Sequence, residues 1–234
     1  VEKSLAITDL APAALINAGR YYRIKGDMLA GLQANGTLES TPACAAWYTK
    51  SIAVLKRAAE RENTIGQQAT ERLLRSGKDP SQMPEFGTAN LYYELGLNYL
   101  RLGDTKKALD AFSIMRHLSP TDPAAYEFIG NCQVTEGQLE QGAISLLQTV
   151  LLDYKCTRAW NRLLNLYSEI DPAGCAVTTE QGHAKLDPGC PMVRNHLCAA
   201  QYGFVRVFLQ SRQHGLALQA KQRALQQFHC PPED

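Results

Sequence analysis

The sequence predicts an all-α fold built from antiparallel helix pairs, and three observations support this. A 34-residue period runs through the middle of the chain. Within each period, apolar residues recur at the spacing of one face of a helix. Glycine or proline separates the apolar segments, as is typical of helix ends. A single helix pair cannot bury its apolar face alone, so repeated pairs are expected to stack on one another.

The two clearest periods place residues of similar type 34 positions apart. The first contains Tyr92, Leu95, Gly96, Tyr99, Gly103, Ala108, Phe112, Met115 and Pro120. The second contains Tyr126, Ile129, Gly130, Gln133, Gly137, Gly142, Leu146, Thr149 and Tyr154. A third period begins with Trp160, Leu163, Leu164 and Tyr167. This order resembles the tetratricopeptide repeat, a helix pair with Leu-Gly and aromatic positions and a closing proline.

The resemblance implies an α-α superhelix with a concave groove, formed by a single domain over residues 1–234. A degenerate repeat is expected at about residues 12–76. It consists of a repeat-like segment at 12–31 with a turn at Gly26 and Asp27, a loop at 32–42 and an unusually long helix at about 43–74. Residues 76–88, which include Pro80 and Pro84, are predicted to form a linker.

Two complete repeats are predicted at residues 89–122 and 123–156. In the first, helices at about 90–102 and 105–118 flank a Gly-Asp turn. Small residues are expected where the two helices of a pair cross closely, Gly96 with Ala108 and Gly130 with Gly142.

The third repeat, residues 157–190, is incomplete because its second helix is not recognisable. Residues 173–191 are predicted to form a long surface loop, since they contain several glycines and prolines. A helical hairpin at 191–230 is expected to cap the stack, with helices at about 192–211 and 216–228.

Composition narrows the classes of function. The net charge is +1 and charged residues make up 20% of the chain. This balance does not favour binding to nucleic acid or to anionic lipid. No apolar segment approaches the roughly 18 residues that cross a bilayer. The sequence begins with Val1 rather than methionine, which predicts either removal of a leader or excision from a longer protein.

Four of the seven cysteines lie near the C-terminus and are disulfide candidates: Cys175, Cys190, Cys198 and Cys230. In an antiparallel hairpin that turns near residue 214, Cys198 and Cys230 are expected to lie side by side. A bridge between Cys175 and Cys190 would close the predicted loop. Four cysteines permit three pairings, and the sequence does not select one. Disulfides would favour a periplasmic or secreted location, whereas reduced thiols would favour the cytoplasm.

The sequence gives little support for a zinc site or a catalytic site. His183, His196 and His229 lie near the C-terminal cysteines, but no closely spaced ligand pair typical of zinc sites occurs. Acidic residues such as Glu169 and Asp171 are interpreted as an exposed helix surface. No phosphate-binding glycine loop, dinucleotide fingerprint or nucleophile elbow is found. The sequence therefore predicts a protein without catalytic residues, cofactor or metal.

The repeat resemblance places particular first-helix positions in the groove. They are Asn90, Tyr93, Leu97, Arg101, Glu127, Asn131, Arg158, Asn161 and Asn165. An asparagine amide offers a donor and an acceptor together and suits a peptide backbone. Arg158 could hold a carboxylate. The alternative is that these are ordinary solvated residues. Of the positions that form a basic clamp for acidic C-termini in some relatives, only Arg158 and Arg162 match, which argues against such a clamp.

Three functions remain open. The first is a non-catalytic scaffold that binds a protein, as an extended peptide or as a helix, in the groove. The second is a substrate-orienting region of a larger, membrane-anchored enzyme of the glycosyltransferase type. The third is a self-association unit. Partner identity and oligomeric state do not follow from the sequence.

Overall fold

The structure, a computed structural model, describes residues 11–31, 42–77, 87–171, 173–180 and 183–232. These ranges contain nine α-helices and one two-stranded sheet. The chain divides into two compact units, residues 1–118 (unit 1) and 119–234 (unit 2), and each is described by itself. The predicted all-α class of helix pairs is confirmed.

Unit 1 contains four helices: α1 (Pro12–Ala30), α2 (Pro42–Arg75), α3 (Ala89–Arg101) and α4 (Thr105–Leu118). Helix α1 packs against α2, α3 packs against α4, and α3 also contacts both α1 and α2. The core of this unit buries Leu15, Tyr22, Leu55, Leu91 and Leu95, which recur at helical spacing within their segments. The predicted long helix is α2, which has 34 residues. The predicted turn at Gly26 and Asp27 is wrong, because α1 continues through both residues to Ala30.

Unit 2 contains five helices and one hairpin. The helices are α5 (Pro123–Thr135), α6 (Leu139–Leu152), α7 (Thr157–Ile170), α8 (Pro191–Gln210) and α9 (His214–Gln226), and the strands are β1 (Val177–Glu180) and β2 (His183–Leu186). Helix α5 pairs with α6 and α8 with α9, while α6 also packs against α7 and α8. The Asp122 carboxylate accepts the Ala124 N–H at 2.9 Å and so caps α5, whose first residue is a proline.

The turns inside the two complete repeats require glycine. Gly103 has a φ of 75° and Gly137 has a φ of 78°. Both values lie in the left-handed region, which glycine adopts without the steric penalty of a Cβ atom. In each turn the chain reverses within a few residues, so α3 and α4, and likewise α5 and α6, form antiparallel pairs.

The close crossing predicted between Gly130 and Gly142 is confirmed. A Cβ atom added at either glycine would lie 3.1 Å from the carbonyl oxygen of the other. The crossing in unit 1 is filled differently, because a Cβ atom at Gly96 would lie 2.5 Å from the Phe112 ring. In unit 2 the lack of a side chain on Gly130 and Gly142 lets the two helix backbones approach each other. In unit 1 the lack of a side chain on Gly96 leaves room for the Phe112 ring.

The long surface loop predicted at residues 173–191 instead contains a β-hairpin. Strands β1 and β2 pair antiparallel, with Val177 opposite Leu186 and Glu180 opposite His183. Val177 and Leu186 pack against the core of unit 2, which explains why this segment is ordered without a second helix. A disulfide between Cys175 and Cys190 closes the segment, with Cα atoms 5.5 Å apart.

The second disulfide joins Cys198 to Cys230, the pair that antiparallel geometry favoured. Cys44, Cys132 and Cys156 take part in neither disulfide. The predicted loop at 32–42 and the predicted linker at 76–88 lie mostly outside the described residues. No helix in the described ranges is both long and apolar enough to cross a membrane.

Candidate functional site

The predicted groove residues of unit 2 that reach solvent lie mainly on one face of α7. Arg158, Asn161 and Asn165 are three to seven residues apart, so they follow the same side of the helix. All three are exposed, and Asn131 on α5 is half-buried. We call these four residues the amide face.

One ion pair connects the two helices that carry the amide face. The Arg158 Nη2 donates to Glu127 Oε2 at 3.2 Å, and Glu127 is 8% exposed while most of the Arg158 side chain is in solvent. Asn131 follows Glu127 by one turn of α5, and Asn161 follows Arg158 by one turn of α7. Glu127, which was predicted to contact a ligand, is therefore buried and positions Arg158.

The amide groups of this face have no partner within the described part of the chain. Thr135 donates to the Asn131 backbone carbonyl at 2.9 Å, but no hydrogen bond joins the side-chain amide of Asn131, Asn161 or Asn165 to another described residue. Each amide can therefore donate and accept hydrogen bonds from outside the protein.

In unit 1 the equivalent helix face is occupied by a charged network that sequence reasoning missed. Glu94 is 1% exposed, and its carboxylate accepts hydrogen bonds from Arg20 Nε and Arg23 Nε, each at 2.7 Å. The Asp27 carboxylate pairs with Arg23 at 2.7 Å and with Arg101 Nε at 2.9 Å. The network ties α1 to α3.

This network engages two of the predicted ligand residues. Asn90 accepts a hydrogen bond from Arg20 Nη2 at 2.8 Å, and Arg101 is held by Asp27. Leu97 is 8% exposed and belongs to the core, and Tyr93 is half-buried. Leu97 is therefore largely closed to a ligand, whereas part of Tyr93 remains accessible to solvent.

Two pKa shifts follow from the network. Burial raises the pKa of Tyr48 to about 12, and the hydrogen bond from its hydroxyl to Asp27 adds to the increase. Burial alone would lower the pKa of Arg23, but the hydrogen bond to Glu94 and the charges of Glu94 and Asp27 raise it overall. Both residues therefore keep their ordinary charge state near neutral pH.

A buried polar contact holds α8 to α7 in unit 2. The Tyr167 hydroxyl lies 2.9 Å from His196 Nδ1, and both side chains are buried. Burial lowers the pKa of His196, opposed by the charge of Glu140, and burial also raises the pKa of Tyr167. Both groups are therefore neutral in the folded protein near pH 7, and this pair is structural rather than an accessible acid and base.

Acidification is expected to destabilise unit 2 through His196. Because its folded pKa is below the ordinary value near 6.5, the unfolded chain binds the proton more tightly, and stability falls as pH decreases from about 6.5. Urea unfolding at pH 7.5 and pH 5.0, followed by the fluorescence of Trp160, measures the effect. The change with pH should be smaller in His196→Gln and unaltered in the exposed control His214→Gln. An equal change in the wild type and His196→Gln would contradict the assignment.

The helix pairs and their polar first-helix faces define an all-α protein built from antiparallel helix pairs. No protein-family model matches the sequence, and no curated protein has a significantly similar sequence.

Two solved structures illustrate the comparison. The crystal structure of MamA protein has a TM-score of 0.47 and 11% identity, covering 93% of this chain and 92% of that chain. The crystal structure of BtubC (BKLC) from P. vanneervenii has a TM-score of 0.34 and 13% identity, covering 97% and 96%. At such scores the likeness carries no inference about function.

Proposed function

We propose that the chain is a non-catalytic protein-interaction module whose amide face binds an extended peptide or a partner helix. The observation that supports this most directly is that the side-chain amides of Asn131, Asn161 and Asn165 have no partner among the described residues. A helix surface that only faces solvent can carry any polar residue, so amides at equivalent positions of successive repeats are not required there. Asn131 and Asn165 are 34 residues apart, one full repeat.

The chemistry of this face suits a peptide backbone. An extended chain presents N–H and C=O groups at regular intervals, and an amide side chain complements both. Such contacts bind the backbone without selecting particular side chains. Arg158 adds a guanidinium that suits a carboxylate on the ligand, and its ion pair with the buried Glu127 limits its orientation. The ligand we propose is therefore a peptide segment with an acidic residue opposite Arg158.

The amide face is tested with a double variant, Asn131→Ala with Asn165→Ala. Peptides selected from a random phage-displayed library against the wild-type protein serve as the probe, and calorimetry gives their affinity. Loss of two hydrogen-bonding side chains should cost about 2 kcal/mol, or about thirtyfold in Kd. The melting temperature should barely change, because neither amide has a partner in the described protein.

The matched control is Asn195→Ala with Gln222→Ala, which removes two exposed amides of unit 2 from α8 and α9. Its affinity should equal that of the wild type. The proposal fails if the selected peptides bind the Asn131/Asn165 variant as tightly as the wild type, or if the control loses as much affinity.

We also propose that the protein works in an oxidising, extracytoplasmic environment. The two disulfides support this location, because such bonds form and persist in oxidising compartments.

A further inference from the structure

A buried carboxylate lies beside one of the disulfides without a cationic partner. Asp171, directly after α7, is 8% exposed. Its Oδ1 accepts the Ala173 N–H at 3.1 Å, and its Oδ2 accepts the Ala176 N–H at 2.6 Å. No lysine, arginine or histidine pairs with it in the described ranges. Sequence reasoning placed Asp171 on an exposed surface, and its burial corrects that prediction. Buried carboxylates are ordinarily paired with a cation or bound to a metal.

Two sulfur atoms complete a cluster around this carboxylate. One oxygen of Asp171 and the sulfurs of Cys175 and Cys190 all lie within 4.8 Å of one another. Cys190 is 2% exposed and occupies the N-cap position of α8, without a side-chain capping hydrogen bond. That position favours a thiolate, because the helix terminus carries a partial positive charge. As long as the two sulfurs are bonded to each other, neither is available as a thiolate ligand.

We propose that reduction of the Cys175–Cys190 disulfide converts this cluster into a zinc-binding site. A dithiol reductant supplies two electrons and two protons, its own sulfurs become a disulfide, and Cys175 and Cys190 become thiols. Zinc then binds both sulfurs and one oxygen of Asp171, and the two thiol protons are released to solvent. Three protein ligands leave a fourth tetrahedral position for water.

The distances and ligand chemistry are compatible with zinc. Two Zn–S bonds of about 2.3 Å at a tetrahedral angle hold the sulfurs about 3.8 Å apart. Rotation of the cysteine side chains can reach this separation, since their Cα atoms are 5.5 Å apart. Each Asp171 oxygen that accepts one backbone N–H retains a second lone pair for the metal. Thiolate ligands favour zinc over magnesium or calcium, which prefer oxygen.

The consequence is that the segment carrying β1 and β2 is closed in either redox state. The disulfide closes it in the oxidising compartment, and the metal closes it before that bond forms or after it has been reduced. A segment that lacks a second repeat helix depends on such closure, because the ordering of a free loop is opposed by chain entropy.

Cobalt titration tests the site, because thiolate-bound tetrahedral Co²⁺ has a distinctive absorption. The full chain is used with Cys198→Ser and Cys230→Ser, so that the other disulfide contributes no thiols. After reduction and removal of reductant, one equivalent of Co²⁺ should bind with thiolate-to-metal absorption, and Zn²⁺ should displace it. The oxidised protein should show no such band. Zinc should also raise the melting temperature of the reduced protein and not of the oxidised protein.

Two further variants assign the ligands. Asp171→Asn should weaken Co²⁺ binding at least about tenfold. A loss of about tenfold is typical even when the substituted residue only hydrogen-bonds to a metal ligand. Cys190→Ser leaves the turn at Asp171 intact and should abolish the thiolate band of the paired site. The proposal is overturned if the reduced protein binds no cobalt, or if affinity is unchanged in Asp171→Asn that is shown to be folded by circular dichroism. Neither result affects the amide face, so failure here is distinct from failure of the proposed function.

Discussion

Replacing Glu94 by glutamine is expected to lower the free energy of unfolding of unit 1 by about 3 kcal/mol. The substitution keeps the size of the side chain but removes the charge that holds Arg20 and Arg23 at 2.7 Å. Breaking a buried ion pair by removing one partner costs about 3–5 kcal/mol. The lower value is expected here because only one of the two arginines loses its partner without access to solvent. The Arg20 side chain is 41% exposed and can turn toward solvent, whereas the Arg23 side chain is 14% exposed.

The two tryptophans allow this effect to be measured in unit 1 alone. Trp47 lies on α2 of unit 1, and Trp160 lies on α7 of unit 2. In a Trp160→Phe background, urea unfolding followed by fluorescence reports only the surroundings of Trp47. The matched control is Glu71→Gln, which breaks an exposed pair with Arg75 and should cost less than about 0.5 kcal/mol. Equal effects of the two substitutions would mean that burial of Glu94 has no energetic consequence.

Removal of the Cys198–Cys230 disulfide is expected to cost about 3.7 kcal/mol, the second large effect. This bridge spans 32 residues and links α8 to the segment that follows α9. Most of the loss comes from the greater freedom of the unfolded chain once the bridge is absent. Chemical unfolding of Cys198→Ala with Cys230→Ala, followed by circular dichroism under oxidising conditions, gives the value.

Hydrogen exchange identifies where the stability is lost. The amides of α9 should lose protection first, because the hydrogen bonds from the Tyr202 hydroxyl to Pro231 and from the Cys230 N–H to Ala224 are made next to the bridge. Cys156→Ala, which removes a free thiol of the same unit, should cost less than about 1 kcal/mol. If the loss from the double variant is no larger than the loss from this control, the bridge does not stabilise the hairpin.

The helices could be predicted from the sequence because their ends are encoded locally. Helix α3 was predicted at about residues 90–102 and occupies Ala89–Arg101, and α4 occupies Thr105–Leu118 as predicted. Gly-Asp turns and a closing proline mark these boundaries directly. The β-hairpin was missed because its strands have four residues each, too few for alternation to be recognised among glycines and prolines.

The candidate site could be predicted only in part, for a different physical reason. The repeat register predicted that Asn161 and Asn165 face solvent, because the exposure of each depends mainly on its position along its own helix. It did not reveal that Glu94 is buried, because that depends on the approach of Arg20 and Arg23, which lie more than 70 residues earlier. The sequence does contain one signal, a glutamate within an apolar helix segment. Such a position predicts a buried carboxylate, and a buried carboxylate usually has a cationic partner.

Photo-crosslinking shows whether the amide face contacts a partner. A benzophenone amino acid is placed at Asn165 in one protein and at the exposed Asn195 of α8 in another. After irradiation with a library-selected peptide, mass spectrometry should find a covalent adduct at position 165 and none at position 195. Adducts at position 195 alone, or equal yields at both positions, would contradict the assignment of the amide face as the binding surface.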